Sequence, residues 1–436
     1  MEILRGRQLF PEQRLTAQTS LELGPPFKIA MSVAKENKVA PSGPPARRIV
    51  SDQEAIQTAE ALRNSFAANA ADRDKKRILP VPEIEAFSRS GLWGITVPRV
   101  YGGAGVSAST LAEVVALISE GDGSIGQIPQ NHYFMVEVVR WNGTEHQKRF
   151  FFERVLNGER FGNALSERKT KTVAEYATRI APAADGFVLN GEKFYSTGAL
   201  FADWIVVVAK DHEDYLRVAF VPKNAPGLKV IDDWDSFGQR TTGSGTAVLQ
   251  EVFVPAEFVM PYQKSFDEPS PLGPLAQIIH AAVDLGIARA AIKETVSWIR
   301  TRTRPWIDSG VDSAAQDPLT LFQIGELHIC LHAAEEMLRL SGQAVDDVLA
   351  DPHFDTLAAA SVAVAEAKVL TTEISLAATN KLFELSGTAS TLAKWNLDRH
   401  WRNARTHTLH DPVRWKHFAI GNFVLNEVRP PRNGAI

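Results

Sequence analysis

The spacing of the apolar residues changes twice along the 436-residue chain, and these changes set the order of its domains. From Ser51 to about Gly158 the apolar residues recur at the helical period of about 3.6 residues. Near Phe161 the period falls to about 2 residues, which is typical of strands. From Pro274 onward the helical period returns over longer segments. This order predicts an α+β chain in which a β domain lies between two helical regions.

Local signals mark helix starts in both helical regions. Ser51 with Glu54 and Thr144 with Gln147 are capping-box pairs. The C-terminal region contains four long helical segments, at Ile278–Arg304, Pro318–Leu349, Thr356–Leu385 and Pro412–Val428. Four long helices with short connections predict a bundle.

The middle region carries turn signals between short apolar runs. The dipeptides Asp185–Gly186 and Asn190–Gly191 are both typical of hairpin turns and predict a mostly antiparallel β domain. The expected organisation is a flexible arm, a helical domain, a β domain and a helical bundle, at residues 1–50, 51–158, 159–270 and 271–436. Within the arm, Met31 is an alternative to Met1 as the natural start.

Composition excludes several classes of function. The chain has 47 basic and 51 acidic residues, so we expect no general attraction to nucleic acid or to an anionic membrane. No run approaches the length of about 18 apolar residues that a membrane-spanning helix needs. The single cysteine, Cys330, lies in a helical run, and we expect it to be a buried small hydrophobe. One thiol cannot form a set of internal disulfides, which favours a reducing, cytoplasmic compartment.

A glycine-rich segment follows the first helices. Gly94–Pro98 and Tyr101–Gly105 do not have the glycine spacing of a P-loop or a Rossmann fingerprint. On their own these residues predict a turn before a helix, and they give no support to a nicotinamide-binding fold.

The segment from Pro98 to Gly105 nevertheless resembles an element of the acyl-CoA dehydrogenase family. Other segments resemble the family's motifs in the same order, at Leu189–Gly198, Phe237–Arg240, Val252–Pro255 and Gly286–Ala291. Each match is loose, whereas their order and spacing are specific. The resemblance implies an N-terminal helical domain, a middle antiparallel β domain and a C-terminal four-helix bundle.

The resemblance also implies a flavin between the β domain and the bundle. Asn163 and Ser166 match one flavin-contacting strand of the family, and Ser196 and Thr197 match a second contact. Taken alone, these residues are ordinary amide and hydroxyl side chains of strands and turns. Their donors and acceptors suit the edge of a flavin ring.

Three further residues match positions at a subunit boundary of the family. Arg302 corresponds to an arginine that reaches the flavin phosphate of a neighbouring subunit, a role suited to a guanidinium. Ser386 and Gly387 match a glycine-rich turn at the same boundary. The resemblance therefore implies a homo-oligomer, with a tetramer expected. The alternative for Arg302 is a structural role, as a cation that stabilises a helix C-terminus.

The end of the chain departs from the acyl-CoA dehydrogenase pattern. Many of these enzymes use a glutamate to remove the proton α to a thioester, and here Asp411 matches it, between His410 and Pro412. Asp411 could be that base, in an FAD-dependent acyl-CoA dehydrogenase or oxidase. As a residue before proline, it is also a typical helix N-cap, which is the interpretation we favour.

Thr406–Pro412 instead resembles the flavin-dependent monooxygenase branch of the superfamily, which includes dibenzothiophene monooxygenases and sulfur-acquisition oxidoreductases. The resemblance places His410 at the flavin, with Asn163 and Ser196 near the ring. There it would be the acid/base for a C4a-(hydro)peroxide of reduced flavin, a task that suits a group titrating near neutrality. A hydrogen-bonded structural histidine is the alternative for His410.

The same resemblance gives an expected substrate pocket at Gln127, Asn131, His132 and His407. Gln127 and Asn131 stand where dibenzothiophene enzymes carry histidine and aromatic residues, which favours a smaller, more polar organosulfur substrate. His407 and His410 could also be a metal pair or structural histidines. No further ligand is spaced near them in sequence, so we predict no metal site.

Together these residues support a two-component monooxygenase hypothesis. Reduced FMN would come from a separate NAD(P)H-dependent flavin reductase, since the chain shows no nicotinamide site, and O2 would be the second substrate. FAD is the alternative cofactor.

Overall fold

The computed structural model describes residues 45–168, 170–172 and 175–436. Most of the predicted N-terminal arm, including Met31, lies outside these residues. Helices before the sheet are α1 Asp52–Ala67, α2 Ala70–Lys76, α3 Val81–Ser90, α4 Ala108–Gly121, α5 Pro129–Asn142 and α6 Glu145–Leu156. Helices after it are α7 Lys264–Asp267, α8 Leu272–Thr301, α9 Pro318–Ala350, α10 Phe354–Ser386, α11 Asp398–His407 and α12 Arg414–Asn426.

One predicted capping box forms in full and the other forms in half. The Thr144 side chain and the Gln147 side chain bond each other's backbone N–H at the start of α6. At α1, the Ser51 hydroxyl accepts from the backbone N–H of Glu54. The Glu54 carboxylate, however, accepts from the backbone N–H of Val50 at 3.0 Å instead of from Ser51.

The described β region is one sheet of eight strands, mostly antiparallel as the sequence predicts. The strands are β1 Phe161–Ala164, β2 Arg179–Ala183, β3 Gly186–Lys193, β4 Trp204–Lys210, β5 Leu216–Pro222, β6 Leu228–Ile231, β7 Thr246–Pro255 and β8 Val259–Pro261. Their order is β6-β7-β3-β2-β4-β5-β8, and β1 pairs with β4. The pairings of β1 and β2 with β4 are parallel.

One of the two predicted turns is confirmed and the other is wrong. Ala183 pairs with Gly186 across a tight turn, so Asp185–Gly186 does join a hairpin. Asn190–Gly191 lies inside β3 as an irregularity of its pairing with β7. There the Asn190 side chain accepts from the backbone N–H of Glu251 at 2.9 Å, so the amide bonds the neighbouring strand rather than closing a turn.

The C-terminal bundle is formed by α8, α9 and α10, and α4 of the N-terminal region packs against α8 and α9. Helix α8 has 30 residues, and an 18-residue window of it reaches a mean hydropathy of 1.4, enough by length and composition to cross a membrane. Because 83% of that window is buried inside the protein, α8 has the character of a core helix.

Cys330 corrects an expectation from the sequence. Its side chain is exposed on α9 rather than buried. The buried residues of α9 include Leu327, Leu331 and Ala334. Cys330 is three residues after Leu327 and four before Ala334, so it lies at the edge of this buried stripe, where the surface of α9 becomes exposed.

His132 joins the N-terminal helices to the sheet. Its imidazole Nε2 donates to the carbonyl of Trp93 at 3.0 Å, and its Nδ1 accepts from the backbone N–H of Phe161, the first residue of β1, at 3.1 Å. The ring is fully buried, and burial lowers the pKa of His132 to about 3. Since both ring nitrogens already have partners, His132 offers no free polar atom to a substrate, contrary to its place in the predicted pocket.

Replacing His132 with leucine should destabilise the protein. The change leaves the buried carbonyl of Trp93 and the N–H of Phe161 without partners, and each such loss costs about 1–3 kcal/mol. We expect a lower urea midpoint and lower Tm, measured by circular dichroism at pH 7.5. His146→Leu, on the exposed surface of α6, is the matched control and should change neither. Equal effects of the two variants would contradict the bridging role of His132.

Candidate functional site

The residues predicted to contact flavin from the β region lie together. The backbone N–H of Asn163 in β1 donates to the carbonyl of Thr197 at 3.1 Å, and the Asn163 side chain donates to the carbonyl of Tyr195 at 3.2 Å. The carbonyl of Ser166 accepts from the backbone N–H of Phe194 at 3.0 Å. One end of β1 is thus hydrogen-bonded to the segment that follows β3, and we call residues 163–166 with 194–197 the strand-end patch.

Within the strand-end patch, the two hydroxyls of Ser196 and Thr197 differ in their partners. Thr197 Oγ1 bonds Ser244 Oγ at 2.7 Å, and Ser244 Oγ bonds Thr242 Oγ1 at 2.7 Å. Ser196 Oγ is buried and has no hydrogen-bond partner within the described part of the chain. A buried hydroxyl without a partner is costly, so Ser196 is a candidate for a bond to a ligand.

Tyr195 in the same patch has a strained backbone. Its φ is +58°, a left-handed conformation that is rare for an aromatic residue. Its side chain is half exposed and packs edge-on against Trp234, with ring centroids 6.0 Å apart. Strain of this kind concentrates at functional sites. Tyr195 is not among the site residues predicted from the sequence, because the identity of a residue does not reveal its φ.

The predicted substrate-pocket segment lies next to the patch. A Cβ on Gly198 would lie 3.3 Å from the side chain of Ile128, which places the start of α5 against the residue after Thr197. Gln127 Oε1 and Asn131 Nδ2 flank Ile128, and both atoms are buried without a hydrogen-bond partner among the described residues. Each can bond a polar ligand.

Helix α11 is fixed to the β region just before the histidines. The Asn403 side chain accepts from the backbone N–H of Gln239 at 2.7 Å, and Arg402 donates to the carbonyl of Phe237 at 2.9 Å. At Gly238 a Cβ would lie 1.9 Å from the carbonyl oxygen of Arg402, so only glycine allows this approach. The contacts bring α11 to the loop before β7, which carries Thr242 and Ser244.

His410 and Asp411 follow α11 in a bend, and the bend corrects the N-cap interpretation of Asp411. Helix α12 begins only at Arg414, with Val413 at its N-cap. The Asp411 carboxylate instead accepts from His410 Nδ1 at 3.1 Å and from the Gln277 side chain at 2.9 Å. These bonds hold the carboxylate away from the backbone N–H groups of α12.

Exposure separates the two residues. Asp411 is buried, whereas the His410 side chain is 46% exposed. Burial raises the pKa of Asp411, but the charge and hydrogen bond of His410 and the charge of Lys416 lower it by more, so the net shift is downward. Asp411 is therefore an ionised, doubly bonded carboxylate, and the His410 imidazole is the member of the pair that faces outward.

Behind His410 lies a polar cluster that the sequence analysis found only in part. His280 of α8 stacks on His410 with ring centroids 3.9 Å apart, and its Nδ1 is 3.1 Å from Nε2 of His407. Nδ1 of His407 bonds Asp284 at 2.5 Å, and Asp284 pairs with Lys368 of α10. We call His280, His407, Asp284 and Lys368 the inner cluster.

Within the inner cluster, the two ring nitrogens of His407 contact His280 and Asp284. Its ring is buried, and both nitrogens have partners, so it has no polar atom free for the predicted substrate pocket. A signal for the missed residues was present in the sequence: Gln277, His280 and Asp284 interrupt the apolar α8 at spacings of three and four, which puts them on one helix face.

Residues near His410 also bear on the prediction that this region has no metal site. Sequence spacing offered no third ligand near His410, yet one ring nitrogen each of His280 and His410 and one oxygen of Asp411 lie within 4.8 Å of one another. Hydrogen bonds to His407, His410 and Gln277 already engage these groups. We interpret them as a hydrogen-bonded cluster.

Arg302, Ser386 and Gly387 form a separate group at the other end of α8. The indole N–H of Trp298 donates to the carbonyl of Ser386 at 3.2 Å, and the Arg302 guanidinium lies 4.2 Å from the ring centre of Trp395. Arg302 and both tryptophans line a cavity of about 280 Å³. Among the described residues, no hydrogen bond or ion pair joins this group to the strand-end patch of the same chain.

Profiles of one enzyme family match most of the chain. The acyl-CoA dehydrogenase N-terminal, middle and C-terminal domains match residues 51–159, 162–252 and 278–415. The dibenzothiophene monooxygenase of Mycolicibacterium goodii is 33% identical, over 86% of this chain and 94% of its own length. A probable FMNH2-dependent monooxygenase of Pseudomonas putida, SfnC, is 32% identical over 86% and 96%.

Solved structures agree with these relatives. FMN-bound TdsC from Paenibacillus sp. A11-2 superposes with a TM-score of 0.84 at 30% identity, over 88% of this chain and all of TdsC. The methanesulfinate monooxygenase MsuC of Pseudomonas fluorescens gives 0.81 at 29% identity, over 87% of this chain and 99% of MsuC. The chain therefore belongs to the acyl-CoA dehydrogenase family, in its branch of flavin-dependent monooxygenases.

Proposed function

We propose that this protein uses reduced FMN and O2 to transfer one oxygen atom to a small organosulfur compound. Support comes from relatives that are named for FMNH2, for dibenzothiophene and for methanesulfinate. The observation that carries the proposal is the contrast between an exposed His410 and a buried, doubly bonded Asp411. An outward-facing imidazole suits proton transfer in oxygenation, whereas an acyl-CoA dehydrogenase needs a free carboxylate base.

The strand-end patch fits an FMN ring. Ser196 Oγ is a buried hydroxyl that lacks a partner, and the half-buried Asn163 adds an amide beside it. Thr197 and the Ser166 segment complete the polar edge. For the phosphate, Arg302 presents a guanidinium that lies over the rings of Trp298 and Trp395 and forms no ion pair within the described part of the chain. As the patch and Arg302 lie apart in one chain, we propose that Arg302 serves the flavin of a neighbouring copy.

In this arrangement the chain's residues have distinct tasks. Bound reduced FMN would supply two electrons, with which one atom of O2 passes to sulfur and the other leaves as water. Asn163 and Ser196 would orient the ring. His410 would deliver the proton that the departing oxygen needs and would take it back from solvent. Asp411 would hold the Nδ1–H of His410, which leaves Nε2 for the reaction.

A separate reductase would have to supply the electrons. The glycine-rich segment near residue 100 forms two short 3-10 turns, Leu92–Gly94 and Arg99–Tyr101, and the described residues place helix α3 before it rather than the strand of a dinucleotide site. We therefore propose a transient NAD(P)H-dependent flavin reductase as the functional partner.

The unpaired polar atoms near the patch favour a small polar substrate. Asn131 Nδ2 can donate to an oxygen on sulfur, and Gln127 Oε1 can accept a hydrogen bond. A large aromatic thiophene would leave both atoms buried without partners. We propose a sulfinate-like or similarly small organosulfur compound.

Exposed apolar side chains support a homo-oligomer, for which we propose a tetramer. They cluster on the outer faces of α9 and α12, at Leu319, Leu321, Phe322, Ile329, Trp415, Phe418, Val424 and Leu425. Exposed apolar side chains grouped in this way, such as the Trp415 and Phe418 rings with centroids 5.4 Å apart, are typical of protein–protein contacts. The association would also let Arg302 reach a second copy.

The oxygenation proposal is tested by mixing the protein with photoreduced FMN and ¹⁸O2-containing buffer. Stopped-flow absorbance should show a transient that free reduced FMN does not give, and one ¹⁸O atom should enter methanesulfinate faster than dibenzothiophene. His410→Ala should slow product formation roughly 10²-fold or more, because a general acid typically contributes that much. Asp411→Asn should cost less, because its amide oxygen still accepts from His410.

An opposite pattern would establish the dehydrogenase alternative. In that case oxidised FAD would stay bound, an acyl-CoA would bleach it, and Asp411→Asn would abolish the bleaching while His410→Ala would not.

Ser196→Ala separates ligand binding from folding. The variant should keep or slightly raise the Tm, because a buried unpaired hydroxyl is removed, and should bind reduced FMN roughly 2- to 12-fold more weakly through loss of one hydrogen bond. Anaerobic fluorescence titration measures the affinity. Thr197→Val is the control for stability and should lower the Tm, since it breaks the bond to Ser244. Unchanged FMN affinity in Ser196→Ala would remove this residue from the flavin site.

Arg302→Ala should weaken reduced FMN binding roughly 10- to 150-fold, as expected for loss of a charge-assisted bond of about 1.5–3 kcal/mol. Arg300→Ala, two residues earlier on the exposed surface, is the matched control and should bind normally. Light scattering should give a mass of four 47.9 kDa chains for both variants. A monomeric wild type that still binds FMN through Arg302 would refute binding across subunits.

A further inference from the structure

The inner cluster contains buried ionisable groups that the proposed reaction does not use. His280, His407, Asp284 and Lys368 are each at most 1% exposed. They lie on α8, α11 and α10, so they are held by three separate helices. The His410 ring, stacked on His280, continues the group toward the surface.

The hydrogen bonds of the inner cluster can run in only one direction. The Asp284 pKa is lowered: burial raises it, and Lys368 and His407 lower it by more, so Asp284 is an ionised acceptor. His407 must then carry its proton on Nδ1 and, when neutral, present a bare Nε2. His280 Nδ1 donates to that nitrogen. Asp284, at one end of this series of hydrogen bonds, thus fixes the tautomers of His407 and His280.

Charge balance keeps these two rings neutral. Lys368 pairs with Asp284, and Thr372 also donates to that carboxylate at 3.0 Å, so its charge is compensated without a proton on His407. Burial lowers the pKa of His407 and of His280.

Groups on other elements add to the field at these rings. Lys416 of α12 and His410 lower the pKa of His280, and Asp411 is the acidic group beside His410.

We propose that Lys368 and Asp284 are positioning residues that keep His280 and His407 neutral, and thereby confine the exchangeable proton of the three-histidine group to His410. Neither residue is near enough to touch a ligand at the surface. They act through the two rings, whose neutral state leaves His410 free to carry positive charge beside Asp411.

The proposal makes Lys368 the critical member. Without its charge, Asp284 would be a buried carboxylate whose nearest available cation is a protonated His407. An isolated buried charge is strongly unfavourable, so His407 would take up a proton. The new imidazolium would lie one ring away from His410 and oppose its protonation by Coulomb repulsion.

This inference concerns the same site as the proposed function, and its relevance to catalysis rests on that proposal. The cluster itself can be examined in the flavin-free protein. If Lys368 and Asp284 do not keep the two rings neutral, the proposed oxygenation activity is unaffected. If the protein has no monooxygenase activity, the role of Lys368 and Asp284 can still be confirmed.

The test uses diethylpyrocarbonate, which reacts with unprotonated imidazole, and peptide mass spectrometry of the flavin-free full-length protein. The rate of modification at His410 is followed from pH 5 to pH 9. The exposed His146 in the same digest is the internal control. In Lys368→Met, the midpoint of the His410 curve should move to lower pH by about one unit, because a nearby positive charge has appeared. The His146 curve should stay where it is.

Two further variants keep the test decisive if Lys368→Met folds poorly. Lys368→Arg retains the charge, and Asp284→Asn with Lys368→Met removes both charges together. Both should leave the His410 curve at its wild-type position. A shift of one unit or more in the uncharged pair, or no shift in a folded Lys368→Met, overturns the proposal. The pH profile of the flavin-loaded enzyme should move with the His410 curve.

Discussion

The enclosure of the first half of helix α8, residues 272–288, is the constraint on which the rest of the site depends. This part of α8 is almost entirely buried, so each polar group on it must find a partner inside the protein. Gln277, His280 and Asp284 share one face of α8, and they therefore define where a polar seam can cross the bundle. Lys368 closes this seam at its inner end, and the loop that carries His410 closes it at its outer end.

The seam also explains why neighbouring residues, His410 and Asp411, differ so much in character. Gln277 draws the Asp411 carboxylate inward, and the same carboxylate orients the His410 ring from its Nδ1 side. The chemistry of the position is therefore set by what binds each side chain from behind. A carboxylate that was not bonded from α8 could face outward, as an acyl-CoA dehydrogenase requires.

Much of the fold could be predicted from the sequence, because a change of apolar period reports directly on element type. The helix and sheet order, the capping box at Thr144 and the strand-end patch were found in this way or by resemblance. Three of the errors have one cause in common. Asn190 bonds a neighbouring strand, Asp411 bonds the distant side chain of Gln277, and His132 bonds two backbone groups of other elements. Partners distant in sequence override local propensities, and no local pattern reveals them.

The inner cluster was not predicted in full because its members are also far apart in sequence. His280 and His407 are separated by 127 residues, and their contact becomes visible only when α8 and α11 are packed. The polar interruptions of α8 could have raised the question, since an apolar helix of this length rarely carries an aspartate without a buried partner. These residues alone do not identify Lys368 as the partner of Asp284.

The bridge at His132 has a consequence for the behaviour of the protein in acid. Its pKa of about 3 in the folded state is below the ordinary value of 6.5, so the unfolded chain binds a proton at this residue throughout the interval while the folded chain does not. Unfolding is then accompanied by proton uptake, and the contribution of His132 to the free energy of unfolding falls steadily as the pH drops from 6.5 toward 3. Because this ring holds β1 to the helices at Trp93, acidification loosens the junction between sheet and helices from within, at a site that solvent does not reach while the protein is folded.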